Sequence, residues 1–181
     1  MRVRQKIPKI GLQEDLYDTD DPNTMNKPCS ENNFAAEQAE RLLSSFERLT
    51  GKSLIPSDTS SDQRAQALYN AAHPVLSHNA KQDPLLNYSN AKGMEQFEIQ
   101  WEELIKLPSR YTAEPQTQEE RNRLLKAVTD NGFIDDYQGV RISAKGNRFM
   151  VEDAIVWNVI DEDGVYWGQG AVLYKCRALA E

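Results

Sequence analysis

The stretch that decides the fold runs from Phe133 to Cys176: FIDDYQGVRIS (133–143), AKGN (144–147), RFMVEDAIVWNVI (148–160), DEDG (161–164) and VYWGQGAVLYKC (165–176). Three segments rich in β-branched and aromatic residues are separated by two glycine-bearing turns. Lys145–Gly146–Asn147 and Asp161–Glu162–Asp163–Gly164 suit tight reversals, because glycine reaches positive φ without a Cβ clash. The pattern predicts three long strands, Phe133–Ser143, Arg148–Ile160 and Val165–Cys176, joined as an antiparallel meander.

Working back from Phe133, the period changes from two to about 3.6. Asn131–Gly132 ends a helix carrying Leu124, Leu125 and Val128, with Glu119 and Arg123 paired at i,i+4. Thr117 and Glu120 have capping-box spacing at its start. Trp101, Leu104 and Ile105 mark a shorter helix, ended by Leu107–Pro108 because the residue before a proline avoids the helical region. Asn90 can cap another short helix, with Met94 and Phe97. Before that, HPVLSH (73–78) and LLNY (85–88) are short apolar runs across the turn-rich Asn79–Pro84, read as a two-stranded hairpin.

Further upstream, Ser61 or Asp62 opens a short helix through Leu68 and Tyr69. GKSLIPSDTSSD (51–62) has the composition of a linker. Residues 32–50 form a helix capped by Asn32 or Asn33, with Ala39, Leu42, Phe46 and Leu49 on one face and Gly51 at its C-cap. That face either packs on its own domain or dimerises. Residues 1–31, with few apolar residues and no period, read as a disordered tail. The organisation is then a tail (1–31), an N-terminal helix and linker (32–61), and a folded domain (62–177).

The chain's 181 residues fit one domain with a tail, and 21 Lys plus Arg against 28 Asp plus Glu give a net charge of -7. Such an acidic balance argues against binding phosphate backbones. No apolar run approaches the roughly 20 residues of a membrane helix, and no apolar run follows the basic N-terminus as in a signal peptide. The two cysteines, Cys29 and Cys176, lie far apart and imply neither a disulfide framework nor a zinc site. The expectation is a cytoplasmic protein with no nucleic-acid or membrane partner.

Five antiparallel strands, with short helices between the second and third and a helix in front, make an α+β order of the PAS-like kind. At the motif level, SHNAKQDPLLNYSNAKGMEQFEIQWEEL, LPSRYTAE, RNRLLKAV, GFIDDYQGVRIS, RFMVEDAIVWNVIDEDG and GQGA, in this sequence over residues 38–174, resemble the MEKHLA domain. No homeodomain or zipper accompanies them, so the chain is similar to the standalone bacterial type. The resemblance implies a PAS-like fold, a role in sensing or protein interaction, and no catalytic residue.

Chemistry-bearing residues are few. Ser77, His78 and Asp83 could suggest a hydrolase, but strand alternation puts Ser77 and His78 on opposite faces and no G-x-S-x-G elbow exists. Neither His73 nor His78 lies on the mid-chain helices where a haem ligand is expected, and neither cysteine lies where photoreactive flavin chemistry needs one. No metal or cofactor is expected. Arg141, Asn158 and Gln169 interrupt apolar strands, and a buried polar group costs about 1–3 kcal/mol unless paired. Arg141 could fork to Glu114, Asp153 or a ligand acid. Together with Arg110 these are the candidate ligand-binding residues, set against a purely structural polar network that also takes in Ser109. Gly168 and Gly170, flanking Gln169, permit close approach of a helix, ligand or partner.

The leading expectation is a non-catalytic sensory or interaction protein. It would bind a small ligand, a protein partner or a second copy, and act through helix 32–50 or the sheet face. A ketosteroid-isomerase-like enzyme using Asp135 and Tyr137 is the alternative, with a structural assembly factor as a third. The cone of such an enzyme begins with its main helices, so helix placement separates the first two.

Overall fold

The computed structural model describes residues 26–180. Its centre is an antiparallel sheet of β1 (Val75–His78), β2 (Leu86–Ser89), β3 (Phe133–Ile134), β4 (Gly139–Ile142), β5 (Arg148–Ile160) and β6 (Tyr166–Ala178). The strand order is β2-β1-β6-β5-β3, with β4 also paired to β5. The early hairpin thus joins the closing meander through β1 and β6, with Val75 opposite Val172 and Ser77 opposite Gly170. The helices α1 (Ala36–Thr50), α2 (Arg64–Tyr69), α3 (Ala91–Gln96), α4 (Trp101–Leu104) and α5 (Gln118–Asn131) complete the fold. Three of them lie between β2 and β3, the PAS-like order rather than that of the isomerase cone.

Six strands form where five are expected, because Phe133–Ser143 is broken. Phe133 faces Trp157 and Gly139 faces Val151. The register is therefore the same on both sides of the break, and no residue is inserted. Asp135–Gln138 simply leaves the ladder while β5 bulges around Asp153. At the end of this break Tyr137 returns its N–H to the Ala154 carbonyl at 3.1 Å.

Both faces of the sheet are covered, and this explains the continuous burial of Ala154–Val159. On one face α1 and α2 bring Leu42, Leu43, Phe46 and Leu68 onto Val75, Ile155, Trp157 and Val172. On the other, Phe97, Trp101, Leu104 and Val128 meet Leu76, Val151, Val156 and Leu173. The apolar face of α1 is thus occupied within the chain. Trp157 packs edge-on against Phe46 at 4.9 Å and donates its indole N–H to Ser45 Oγ at 3.0 Å.

Local signals are met in part. Asn90 caps α3 as expected, its Oδ1 accepting from Gly93 N at 2.8 Å. It also accepts from Val75 N at 2.9 Å and donates to the His73 carbonyl at 2.8 Å, so one buried amide joins β1, α2's exit and α3. The capping box of Thr117 and Glu120 does not form. A 3-10 turn at Pro115–Thr117 already feeds the helix, and the Thr117 hydroxyl turns back to the Glu114 carbonyl at 2.9 Å. The first helix begins at Ala36 rather than at Asn32, because Asn33, Phe34 and Ala35 are left-handed. Of the tail expected to be disordered, residues 1–25 lie outside the described residues; the rest runs into a 3-10 turn at Ser30–Asn32.

Gly168 and Gly170 do allow close approach, and by the chain itself. A Cβ on Gly168, at φ +126, would sit 1.9 Å from the His78 carbonyl, and one on Gly170 would sit 2.5 Å from Trp157 Cζ2.

Candidate functional site

The sheet and the first half of α5 border a cavity of about 80 Å3. That exceeds several times the roughly 10–15 Å3 that one water needs and stays far below the 300 Å3 at which drug-sized sites begin. Leu76, Leu124, Leu125, Val156, Ala171 and Leu173 supply apolar wall. The polar lining comes from Ser77, His78, Ser109, Thr112, Arg121, Tyr137, Arg141 and Gln169, and no Asp or Glu borders the space.

Arg121 belongs to the same face of α5 as Leu124, Leu125 and Val128, three to seven residues along, so the turn of the helix carries it inward. It is 8% exposed and donates from Nη2 to Ser109 Oγ at 2.7 Å. Ser109 is itself fixed by the 3-10 turn Ser109–Thr112, where Thr112 Oγ1 donates to the Ser109 carbonyl at 2.7 Å. Burial lowers the Arg121 pKa to about 10, and the positive charge of Arg141 pushes the same way. Arg141, on β4, donates from Nη1 to the Val140 carbonyl at 2.9 Å and lies over the Tyr137 ring, 4.9 Å from its centroid. Burial lowers its pKa too, and burial raises that of Tyr137. Neither guanidinium forms an ion pair among the described residues. With five N–H donors apiece, both retain donors.

Two acceptors complete the lining. The Gln169 amide nitrogen lies 3.0 Å from the Leu125 carbonyl and 3.2 Å from Asn158 Oδ1, both acceptors, so the amide orientation is fixed. Its Oε1 is then left buried without a donor. His78 Nδ1 lies 2.9 Å from the Asn79 carbonyl, which can only accept, so the proton sits on Nδ1. His78 Nε2 is a second buried lone pair without a donor. Burial holds the His78 pKa down at about 4, the positive Arg121 adding to the effect while the Asn79 carbonyl and the nearby Gln169 side chain oppose it.

Of the four candidates, Arg141 and Gln169 border the cavity together. Asn158 stands behind Gln169, donating to the Val128 and Thr129 carbonyls at 3.0 and 3.3 Å and so tying β5 to α5. Arg110 is at the surface, paired with Asp83 and stacked 4.4 Å over Tyr111. The acids considered for Arg141 are elsewhere: Glu114 binds Arg148 at 2.6 Å, and Asp153 is exposed. Ser77 and His78 both border the cavity. Their side chains nonetheless take opposite faces, as alternation requires: Ser77 Oγ accepts from Gln38 Nε2 of α1 at 3.3 Å, and the bulge beside them adds its residue to β2 while β1 stays in register with β6. Ser77 donates to Asn87 Oδ1 at 2.7 Å, and Asp83, in the turn that follows β1, pairs with Arg110. That turn is closed by Asn79, whose Oδ1 accepts from Lys81 N and Leu85 N. Arg121 is the residue that sequence reasoning overlooks. Its signal was a charge three and four residues before Leu124 and Leu125, on the apolar side of a helix.

Arg121, Leu124, Tyr137 and Arg141 also border an outer recess, which α5 forms with the β3–β4 break at Ile134, Asp136 and Gln138. The two guanidiniums and the phenol therefore stand between the cavity and the outside. A flavin does not fit: the space is too small, and neither cysteine borders it. No described helix is long and apolar enough to cross a membrane.

The MEKHLA domain model matches residues 36–177 of the chain. Among solved structures, the PAS domain of a protein from Colwellia psychrerythraea is similar with a TM-score of 0.54 at 14% identity, over 65% of this chain and 94% of that one. An RNA-binding light-oxygen-voltage receptor gives a TM-score of 0.54 at 15% identity, over 67% of this chain and 34% of that one. No curated protein matches the chain.

Proposed function

Because the chain belongs to the MEKHLA domain family, we propose that it is a non-catalytic sensory module that takes a small ligand into the cavity between the sheet and α5. The observation that carries this reading is the lining itself. Two guanidiniums without a carboxylate and two buried acceptors without a donor stand around one apolar space. Groups held in this state are satisfied by something that enters. Purely structural polar networks close on themselves, as Asn158 does with α5. The lining carries no nucleophile–base pair: His78 Nε2 faces no hydroxyl donor, and Ser77 is bonded to Asn87. Asp135, the acid that the isomerase alternative needs, is exposed and does not border the cavity, which favours recognition over that alternative.

The readout passes to a partner chain through the recess beside the β3–β4 break, which shares Arg121, Tyr137 and Arg141 with the cavity. A ligand acts by binding one arrangement of those side chains better than another.

Native mass spectrometry of protein isolated from its own host tests the proposal. A small-molecule adduct is expected on the wild type and not on Ala171→Leu, which fills the cavity wall, once circular dichroism shows that variant folded. Wild-type protein that carries no adduct, and whose thermal unfolding is unmoved by a host metabolite extract, overturns it.

A further inference from the structure

We propose that the ligand is a small hydroxy acid, its carboxylate held between Arg121 and Arg141 and its hydroxyl donating to Gln169 Oε1 or His78 Nε2. This deepens the reading of the cavity as a ligand site and rests on it.

Charge is the first argument. Two cations border a space that no acid borders. Asp83, the acid whose charge is felt at Arg121, is already bound by Arg110, and Glu120 and Asp136 border only the outer recess, where both are exposed. Like charges brought together in a poorly solvated place repel, and one carboxylate between them turns that repulsion into two charge-assisted hydrogen bonds. The guanidinium is the side chain whose planar fork fits a carboxylate. Ser109 Oγ, already against Arg121 Nη2, adds a hydroxyl beside that position.

Polarity is the second. A plain carboxylate offers acceptors alone and leaves Gln169 Oε1 and His78 Nε2 facing other acceptors. Only a group with a proton to donate satisfies either. The Gln169 amide cannot turn to help, because its nitrogen is held by Leu125 and Asn158. His78 cannot supply a proton without losing the Asn79 bond or becoming charged beside Arg121. The ligand must therefore donate at one place and accept at another. Size is the third: about 80 Å3 admits a handful of heavy atoms.

The test uses the full chain, 15N-labelled, with lactate, propionate and lactamide as probes at equal millimolar concentrations. The readouts are the backbone amides of Gln169, Gly170 and Ala171 and the Nε–Hε signals of Arg121 and Arg141. Lactate is expected to shift these saturably, with propionate and lactamide each about tenfold weaker or more. Arg141→Gln and Arg121→Gln, whose spectra report their own folding, are each expected to weaken lactate by a similar factor. Lactamide as strong as lactate overturns recognition of an anion. Propionate as strong as lactate overturns the role of the acceptor pair. If no probe shifts the signals, xenon under pressure separates the two failures. Shifts with xenon leave a ligand cavity that does not take hydroxy acids, and silence with xenon removes the cavity reading as well.

Discussion

A side chain kept for a ligand should be a burden to the ligand-free fold, and Arg121 allows that burden to be worked out. Its pKa falls from the usual guanidinium value to about 10, chiefly through burial. The folded state holds this proton less tightly than the unfolded chain does. Folding is therefore penalised wherever the arginine is charged in both states, which includes pH 7, and the penalty disappears only where both states have lost the proton. Each tenfold change in proton affinity is about 1.4 kcal/mol, so the penalty is about 3 kcal/mol. Against it stands the bond to Ser109 Oγ, a charged donor worth about 1.5–3 kcal/mol. Methionine keeps the aliphatic stem against Leu124 and Leu125 and discards the charge. Arg121→Met is accordingly expected to be between neutral and about 2 kcal/mol more stable than the wild type in urea unfolding at pH 7, followed by circular dichroism. Typical substitutions of buried residues destabilise by about 0.5–3 kcal/mol. The neighbouring Arg123→Met, on an exposed ion pair with Glu119, serves as control and should stay within about 0.5 kcal/mol. A loss of more than about 1 kcal/mol in Arg121→Met would refute the argument, because Arg121 would then be a stabilising element of the fold.

Two further outcomes follow from buried groups. Asn90→Ala removes the cap of α3 and strips the Val75 N–H and the His73 carbonyl of their partner, so a loss of about 3–4 kcal/mol in urea unfolding is expected, and a loss below about 1 kcal/mol would contradict the keystone role. His78, whose burial depresses its pKa to about 4, should be neutral at pH 7, with a ring titration near pH 4 by NMR. Unfolded histidine protonates near 6.5 while the folded one does not, so this contribution to stability is complete above about 6.5 and is lost as pH falls toward 4, about 3 kcal/mol in all. A midpoint at or above 6.5 would mean that Nε2 meets water.

What could be seen in the sequence was whatever local chemistry dictates. Gly146 and Gly164 both take positive φ in the expected turns, at +86 and +82. Asn90 caps as its side chain permits, and the order of strands and helices follows from these boundaries. The break in Phe133–Ser143 was not legible, because Asp135–Gln138 leaves the ladder without changing register; only the paired acids hinted at it. The bulge at Ser77 and His78 was hidden for a related reason. It opens on the β2 side, while on the other side of β1 the pairing with β6 stays in register and passes so close at Gly168 that only glycine fits there. Half of the site was legible in Arg141 and Gln169, polar residues within apolar strands. Arg110, equally basic, differs only in where its neighbours lie. Arg121 was concealed by the habit of reading helix faces from apolar residues alone.

The N-terminal helix can be assigned on magnitudes. Leu42, Leu43 and Phe46 are all fully buried against the sheet, and each such side chain contributes about 1.5–3 kcal/mol. Detaching α1 therefore costs upward of about 5 kcal/mol before the Trp157–Ser45 bond is counted. Tiny ligands reach at best about 1.5 kcal/mol per heavy atom, and a ligand shifts an equilibrium only by its differential affinity, a fraction of that total. A handful of atoms in the cavity does not release α1, which lies on the other face of the sheet. Hydrogen exchange of the α1 interior, Leu42 to Phe46, should therefore occur only through global unfolding, with the same free energy as the most protected amides of β5. The residues bordering the recess, Asp136 to Val140, should open at far lower cost. Exchange from α1 at free energies well below the global value would reverse this assignment and make the helix, rather than the strand break, the part of the molecule that moves.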